Sequence, residues 1–210
     1  MWDMIQKGGP VMWPIILCSI FAFAIFLERI FNLHRARIDT ADFMNKIGST
    51  LKRNKVMEAI EMCNNTPGPI AHIMKAGILK HDRPRNEIRE AIEDAGVHEV
   101  PRLEKNMSAL ATIATISPLL GLLGTVTGMV RCFQMIQEKS TSLNPINPGD
   151  LAGGIWEALI TTVAGLVVAI PTYVAYNYLV SRVDNFVLEM EKAATELMNI
   201  LAARGDRYEV

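Results

Sequence analysis

The chain has 210 residues, of which 50% are hydrophobic and 20% are charged, and its mean hydropathy is +0.20. A soluble domain of this size rarely combines a positive mean hydropathy with long uncharged runs, so the composition indicates a membrane protein. The 21 basic and 22 acidic residues nearly cancel, which argues against a nucleic-acid partner, and the three cysteines are too far apart to predict a disulfide framework or a zinc site.

Three uncharged runs, residues 8–27, 107–130 and 158–181, are each long enough to cross a bilayer, because a membrane helix needs about 20 mostly apolar residues. The first run could also belong to a cleaved signal peptide, but residues 27–30 make a poor cleavage site because they are not small. The sequence therefore predicts an all-α integral membrane protein with three transmembrane helices, whose long helices extend into a cytoplasmic helical bundle.

Lysine and arginine residues lie mainly between the first and second runs. Residues 28–106 contain fourteen of them, whereas residues 131–157 contain two. Because Lys and Arg accumulate in the cytoplasmic loops of membrane proteins, residues 28–106 are predicted to be cytoplasmic. The amino terminus then lies outside the cytoplasm, and the carboxy terminus lies inside.

This topology divides the chain into six predicted segments. They are the outer amino terminus and first transmembrane helix (1–30), a cytoplasmic helical segment (31–106), the second transmembrane helix (107–133), an outer loop (134–156), the third transmembrane helix (157–181) and a cytoplasmic helical extension (182–210). Within the cytoplasmic segment, the pattern predicts a helix over residues 41–63, a break at 66–69, a helix over 70–80, and a helix from Pro84 that runs straight into the second span.

The apolar pattern continues beyond the third run. Apolar residues recur at three and four positions with acidic residues between them, which is typical of an amphipathic helix: Val180, Val183, Val187, Met190, Ala194, Leu197 and Leu201. The third span is therefore predicted to continue as one helix that ends near Gly205. A helix lying on the membrane surface is a less favoured alternative, because anionic lipid would repel its acidic face.

The second span contains the sequence GLLGTVTGM at residues 121–129. Its glycines Gly121, Gly124 and Gly128 form a stripe of small residues that lets another backbone approach closely. A second face of the span is mostly polar and carries hydroxyl groups at several of its positions. It follows three- and four-residue spacing through Ser108, Thr112, Thr115, Pro118, Leu122 and Thr125. The third span carries a similar stripe through Thr161, Thr162, Gly165, Ala169, Thr172 and Tyr176. Two such stripes predict either a polar passage or a socket for another helix.

Residues 107–130 and 158–181 contain no Asp, Glu, Lys, Arg or His, although ion relays in membranes usually need a titratable group. The chain therefore either conducts nothing or depends on a partner that supplies a carboxyl group. Glu157 lies at the outer end of the third span, where it could also simply stabilise a helix N-terminus. Pro118 and Pro171 lie inside the two spans and predict either flexible points beside a passage or mere packing irregularities.

Residues 111–130, ATIATISPLLGLLGTVTGMV, and residues 153–177, GGIWEALITTVAGLVVAIPTYVAYN, closely resemble the second and third transmembrane helices of the MotA/TolQ/ExbB proton channel family. That family carries the patterns AP-x-x-GL-x-GTV-x-G and EAL-x-x-T-x-x-GL-x-x-AIP in this order. Three spans and a large segment after the first span are similar to ExbB and TolQ and unlike MotA, which has four spans.

The resemblance implies a stator in the bacterial inner membrane, with the outer side in the periplasm. Five copies would surround the transmembrane helices of two copies of an ExbD- or TolR-like partner, which supplies a membrane-embedded aspartate. Protons flowing through this assembly would energise a TonB- or TolA-like protein that spans the periplasm. No other cofactor is implied.

The resemblance also implies roles for individual residues. Thr125 and Thr162 match pore-facing threonines, Glu157 matches a glutamate near the ion path, and Pro118 and Pro171 match the prolines of the two patterns. Ser117 and Thr161 replace residues that are usually alanine. Because hard cations prefer oxygen ligands, the additional hydroxyl of Thr161 makes sodium an alternative to the proton.

Two other classes of function compete with an ion-driven stator. A passive membrane scaffold would need the glycine stripe but would give Glu157 and the threonines no role. An intramembrane enzyme is the least favoured class, because no catalytic motif lies in the spans and the four histidines lack metal-ligand spacing.

Overall fold

The computed structural model describes residues 8–140 and 148–205. The regular structure of these residues consists of seven helices: α1 (Met12–Ala36), α2 (Thr40–Lys52), α3 (Val56–Asn65), α4 (Pro69–Leu79), α5 (Arg85–Leu103), α6 (Met107–Ser140) and α7 (Pro148–Gly205). Within this part of the chain, three helical stretches are long and apolar enough to cross a membrane. The predicted fold class, an all-helical protein with three membrane-spanning helices, is confirmed.

The chain divides into two compact units. The first comprises the described parts of residues 1–28 and 106–178, and the second comprises those of residues 29–105 and 179–210. Helix α7 contributes residues to both units and is continuous from Pro148 to Gly205. The single long helix predicted for the third span and its extension is therefore present.

The first unit presents large apolar side chains on its surface. Phe23, Val167 and Ile170 are each more than 60% exposed. A surface of this kind is suited to contact with lipid or with other protein chains, since proteins in water rarely expose large contiguous apolar patches.

The second unit has a core of large aliphatic side chains. Helices α2 and α4 contribute residues at three- and four-residue spacing, and α7 contributes one more. All of them are at most 2% exposed: Ile47, Leu51, Ile70, Ile73, Met74, Ile78 and Leu197. The amphipathic part of α7 contributes Leu197 to this core, with Val183, Met190 and Leu201 also buried. The core excludes water around Cys63 of α3, and this burial raises the pKa of its thiol to about 11.

Two asparagines and one glycine with positive φ lie between neighbouring helices of the chain. Gly68 (φ +111°) separates α3 from α4 at the predicted break, where a Cβ atom would lie 2.6 Å from the carbonyl oxygen of Ala36. Asn54 (φ 63°) separates α2 from α3, and Asn106 (φ 62°) separates α5 from α6. The predictions of one helix over residues 41–63 and of an unbroken passage from Pro84 into the second span are therefore wrong, because asparagine adopts the left-handed conformation more readily than most residues.

The loop predicted over residues 134–156 is also wrong in its bounds. Helix α6 extends to Ser140 and α7 begins at Pro148, while residues 141–147 lie outside the described part of the chain. Gly154, within the predicted loop, instead lies in α7 against α6, where an added Cβ atom would be 3.0 Å from the Cβ atom of Cys132. Packing against a neighbouring helix thus overrides the low intrinsic helix propensity of glycine.

Candidate functional site

The glycine stripe of α6 lies against α7 of the same chain. A Cβ atom built on Gly121 would lie 3.0 Å from the carbonyl oxygen of Thr161, and one built on Gly165 would lie 2.5 Å from that of Ser117. Because these neighbours are backbone atoms, the helices approach this closely only where glycine is present. The contacts run antiparallel along the two helices: Gly121 meets Thr161 and Thr162, Gly124 meets Thr161, Gly128 meets Ala158 and Gly154, and Gly165 meets Ser117 and Gly121.

Most of the small-residue stripe of α7 is buried in this contact. Thr161 is 1% exposed, and its side chain fills the space that a Cβ atom on Gly124 would need. Its hydroxyl donates to two carbonyls of its own helix, those of Glu157 (3.2 Å) and Ala158 (2.8 Å). Thr172 is also buried, and its hydroxyl donates to the carbonyl of Val168 at 2.7 Å.

This geometry corrects the interpretation of the α7 stripe as one of two matched walls of a passage or socket, because that stripe lies mainly against the glycine face of α6 and not opposite the hydroxyl stripe of α6. The glycine face of α6 and the Thr161 face of α7 pack on each other within the chain, so neither is open to a second chain there. Sequence periodicity identifies a face suited to close packing, but it does not say which helix occupies that face.

Thr162 lies beside the same contact and joins the two helices. Its hydroxyl donates to the carbonyl oxygen of Gly121 at 3.1 Å. A backbone carbonyl inside a helix is an available acceptor because each oxygen has two lone pairs. The residue next to the buried Thr161 therefore makes a polar link between α6 and α7 and is only partly covered by the chain.

The hydroxyl face of α6 is mostly exposed among the described residues. Thr112 and Thr115 are exposed, and Thr125 is half-buried. Their hydroxyls donate to carbonyls of their own helix: Thr112 to Ser108, Thr115 to Ala111, and Thr125 to Leu122 at 2.6 Å. These hydrogen bonds satisfy the donors, and each hydroxyl oxygen retains lone pairs that can accept a hydrogen bond.

Glu157 of α7 forms an ion pair with Arg131 of α6. The distance from an Arg131 guanidinium nitrogen to Glu157 Oε1 is 2.8 Å, and the two side chains are 49% and 24% exposed. Helix α7 begins at Pro148, so Glu157 lies in its third turn. The alternative that this carboxylate stabilises a helix N-terminus is therefore wrong, because the dipole effect fades beyond the first turn.

Gly9, which precedes α1, approaches the same carboxylate. A Cβ atom on Gly9 would overlap Glu157 Oε1 and would lie 3.4 Å from the Arg131 guanidinium. The backbone of Gly9 has φ +66°, a conformation that glycine adopts without strain. The sequence interpretation missed both Gly9 and Arg131, although Arg131 was visible as an isolated charge at the end of a long uncharged run.

Pro118 and Pro171 both lie within continuous helices. Pro118 follows Ser117, whose hydroxyl donates to the carbonyl of Ile113 at 2.7 Å. Each proline removes one backbone donor from its helix. Their role as flexible points remains a prediction.

The part of the chain that the structure describes contains no group of three or more His, Cys, Asp or Glu side chains that could hold a metal ion. His72 instead contacts Glu99, at 3.0 Å between Nδ1 and Oε1, and Arg102 donates to the same oxygen at 2.6 Å. This cluster lies in the second unit and is separate from the α6–α7 contact in sequence.

Residues 65–192, more than half of the chain, match the model of the MotA/TolQ/ExbB proton channel family. The chain belongs to this family. The matched region contains α6 and most of α7, and hence all the site residues from Ser117 to Pro171. As a family of channels, MotA/TolQ/ExbB proteins are not enzymes, which removes the intramembrane-enzyme alternative.

Individual MotA/TolQ/ExbB relatives are similar over most of the chain. The ExbB-like protein 3 of Synechocystis sp. is 34% identical over 172 residues, which cover 82% of this chain and 81% of that protein. The biopolymer transport protein exbB1 of Vibrio cholerae is 28% identical over 191 residues, covering 89% and 82%. An ExbB homolog of Methanothermobacter thermautotrophicus is 28% identical over 190 residues, covering 90% of this chain but 66% of that protein.

Proposed function

We propose that this chain is an ion-conducting stator subunit that converts the proton motive force into mechanical work. It acts as a homo-oligomer, five copies by family resemblance, around an ExbD- or TolR-like subunit that supplies a transmembrane aspartate. The work energises a TonB- or TolA-like protein across the periplasm. The membrane is the bacterial inner membrane, with the amino terminus in the periplasm and with residues 31–106 and the carboxy terminus in the cytoplasm.

The observation that carries this proposal is the mostly exposed hydroxyl face of α6. The glycine face of α6 is occupied by α7, whereas within the part of the chain that the structure describes Thr112 and Thr115 are exposed and Thr125 is half-buried. The spans contain no ionisable residue in their central parts, so a carboxyl group for proton transfer must come from another chain. Oxygen lone pairs on this face are suited to hydrogen-bond that carboxyl group or the water beside it.

Thr162 is the second residue assigned to the pathway. It is partly covered, and its hydroxyl donates to the carbonyl oxygen of Gly121 within the contact between α6 and α7. Thr161 is assigned to helix packing instead, because its hydroxyl is buried and bonded to its own helix. The proposed ion is therefore the proton, with sodium as the alternative that the experiment must separate.

The experiment is ion flux into proteoliposomes that contain the full chain and its ExbD- or TolR-like partner, under an imposed proton gradient or an imposed sodium gradient. Replacing Thr125 or Thr162 by valine preserves side-chain volume closely but removes the hydroxyl, and each change should lower partner-dependent proton flux by more than about tenfold, a loss typical of misplacing one group that handles a proton. Thr127→Val is the matched control, since the Thr127 hydroxyl donates to Leu123 of the same helix at 2.9 Å but lies off the proposed pathway.

Full flux in both Thr125→Val and Thr162→Val would show that the pathway is placed wrongly. Absence of flux with either ion, from a complex that is demonstrably assembled, would favour the passive scaffold. Flux that follows only the sodium gradient would retain the stator and change its ion.

A further inference from the structure

The Arg131–Glu157 ion pair joins two isolated charges. Arg131 is the only charged residue between positions 107 and 137, and Glu157 is the only one between positions 151 and 181. The two residues are brought together by the antiparallel contact of α6 and α7, which places Gly128 beside Ala158. Each charge is costly in an apolar protein segment, and pairing offsets part of that cost.

Two groups of the chain lie against one oxygen of the Glu157 carboxylate. The Arg131 guanidinium contacts Oε1 at 2.8 Å, and the backbone of Gly9 lies so close to the same oxygen that a Cβ atom there would overlap it. The hydroxyl of Thr161, one turn further along α7, is directed to the carbonyl oxygens of its own helix.

We propose that Arg131 is a specificity-determining residue that holds the Glu157 side chain and excludes metal cations from its carboxylate. A hard cation such as sodium needs several oxygen ligands around it, and Arg131 occupies one side of the carboxylate with a guanidinium that stays positively charged. A sodium ion bound to the same carboxylate would lie within a few ångströms of that charge and would be repelled by it. The exclusion of metal cations from the Glu157 carboxylate is a property of this chain alone. Its effect on which ion is conducted rests on the proposed function.

The test is thermal unfolding of the purified full chain in detergent, in sodium chloride and in choline chloride at equal ionic strength. A cation that binds the folded state raises the Tm. The wild type should show the same Tm in both salts. Arg131→Gln should have a higher Tm in sodium chloride than in choline chloride. The sodium affinity calculated from this shift in Tm should be at least about tenfold above that of the wild type. The double variant Arg131→Gln/Glu157→Gln should lose the difference, because the carboxylate is gone.

Two control variants separate charge from packing. Arg131→Lys retains the positive charge and should resemble the wild type, whereas Arg131→Met retains an unbranched side chain without charge and should resemble Arg131→Gln. Arg131→Met also keeps the test decisive where the glutamine variant fails to fold. A sodium-specific rise in the wild-type Tm, or no rise in either uncharged variant, would overturn the proposal.

Flux measurements then distinguish this inference from the proposed function. In proteoliposomes with the partner, Arg131→Gln should gain sodium-driven flux that the wild type lacks. A wild type that conducts neither ion would refute the stator while leaving the sodium exclusion, measured by Tm, intact.

Discussion

The α6–α7 contact and the core of the second unit are both packings of helix on helix, but they use opposite kinds of residue. At Gly165 of α7 an added Cβ atom would meet backbone atoms of α6, at 2.5 Å from the carbonyl oxygen of Ser117. At Gly77 of α4 it would meet the tips of side chains, at 2.7 Å from Leu197 and 2.8 Å from Ile92. One region packs backbone on backbone, and the other packs long aliphatic side chains around a glycine.

The difference follows from the surroundings of the two regions. Lipid tails are as apolar as leucine, so helices in a bilayer gain little by burying large side chains and associate through close van der Waals contact and hydrogen bonds. A unit with many charged residues on its surface instead gains stability by removing large apolar side chains from water. The two regions should therefore respond in opposite ways to changes in side-chain size.

The largest effect is expected from truncation in the second unit. Leu197 is fully buried, so Leu197→Ala should lower the free energy of unfolding by about 3 kcal/mol through lost burial and the cavity that remains. Denaturant titration of the full chain in detergent, followed by circular dichroism, measures this. Leu188→Ala on the same helix is the control, because Leu188 is 50% exposed. Equal losses in the two variants would contradict the assignment of a large-residue core.

A smaller effect is expected from enlargement in the α6–α7 contact. Gly165→Ala should lower the free energy of unfolding by about 2 kcal/mol, since the neighbouring backbone cannot move aside without separating the helices. The control is Gly153→Ala, because among the described residues no atom beyond the adjacent backbone of its own helix lies within 4 Å of a Cβ atom added there, and alanine favours the helix. Unchanged stability of the Gly165 variant in the same titration would show that the helices are not held this closely.

The smallest effect is expected from the same substitution at Gly77. The higher helix propensity of alanine, worth about 1 kcal/mol, opposes the cost of displacing the tips of Leu197 and Ile92, so the net change should stay within about 1 kcal/mol. In the Leu197→Ala background, Gly77→Ala should become stabilising, because its methyl group enters the cavity and the two sites are in contact. A loss at Gly77 as large as that at Gly165 would remove the distinction between the two packings.

Much of the fold could be predicted from the sequence because its signals are local. An uncharged run of sufficient length predicts a span wherever it occurs, and the apolar spacing from Val180 to Leu201 predicts an amphipathic helix. The breaks at Asn54 and Asn106 could not be predicted with the same ease, since asparagine is compatible with both helical and left-handed conformations.

The candidate site divides in the same way. By itself, the sequence determined that α6 carries a glycine face and a hydroxyl face, because both follow from the spacing of residues along one helix. Only the tertiary structure decided that α7 covers the glycine face, that Thr161 is buried while Thr162 links the helices, and that Arg131 reaches Glu157. These outcomes depend on which distant segments share a contact, and helical periodicity determines the direction of a side chain but not the neighbour that it meets.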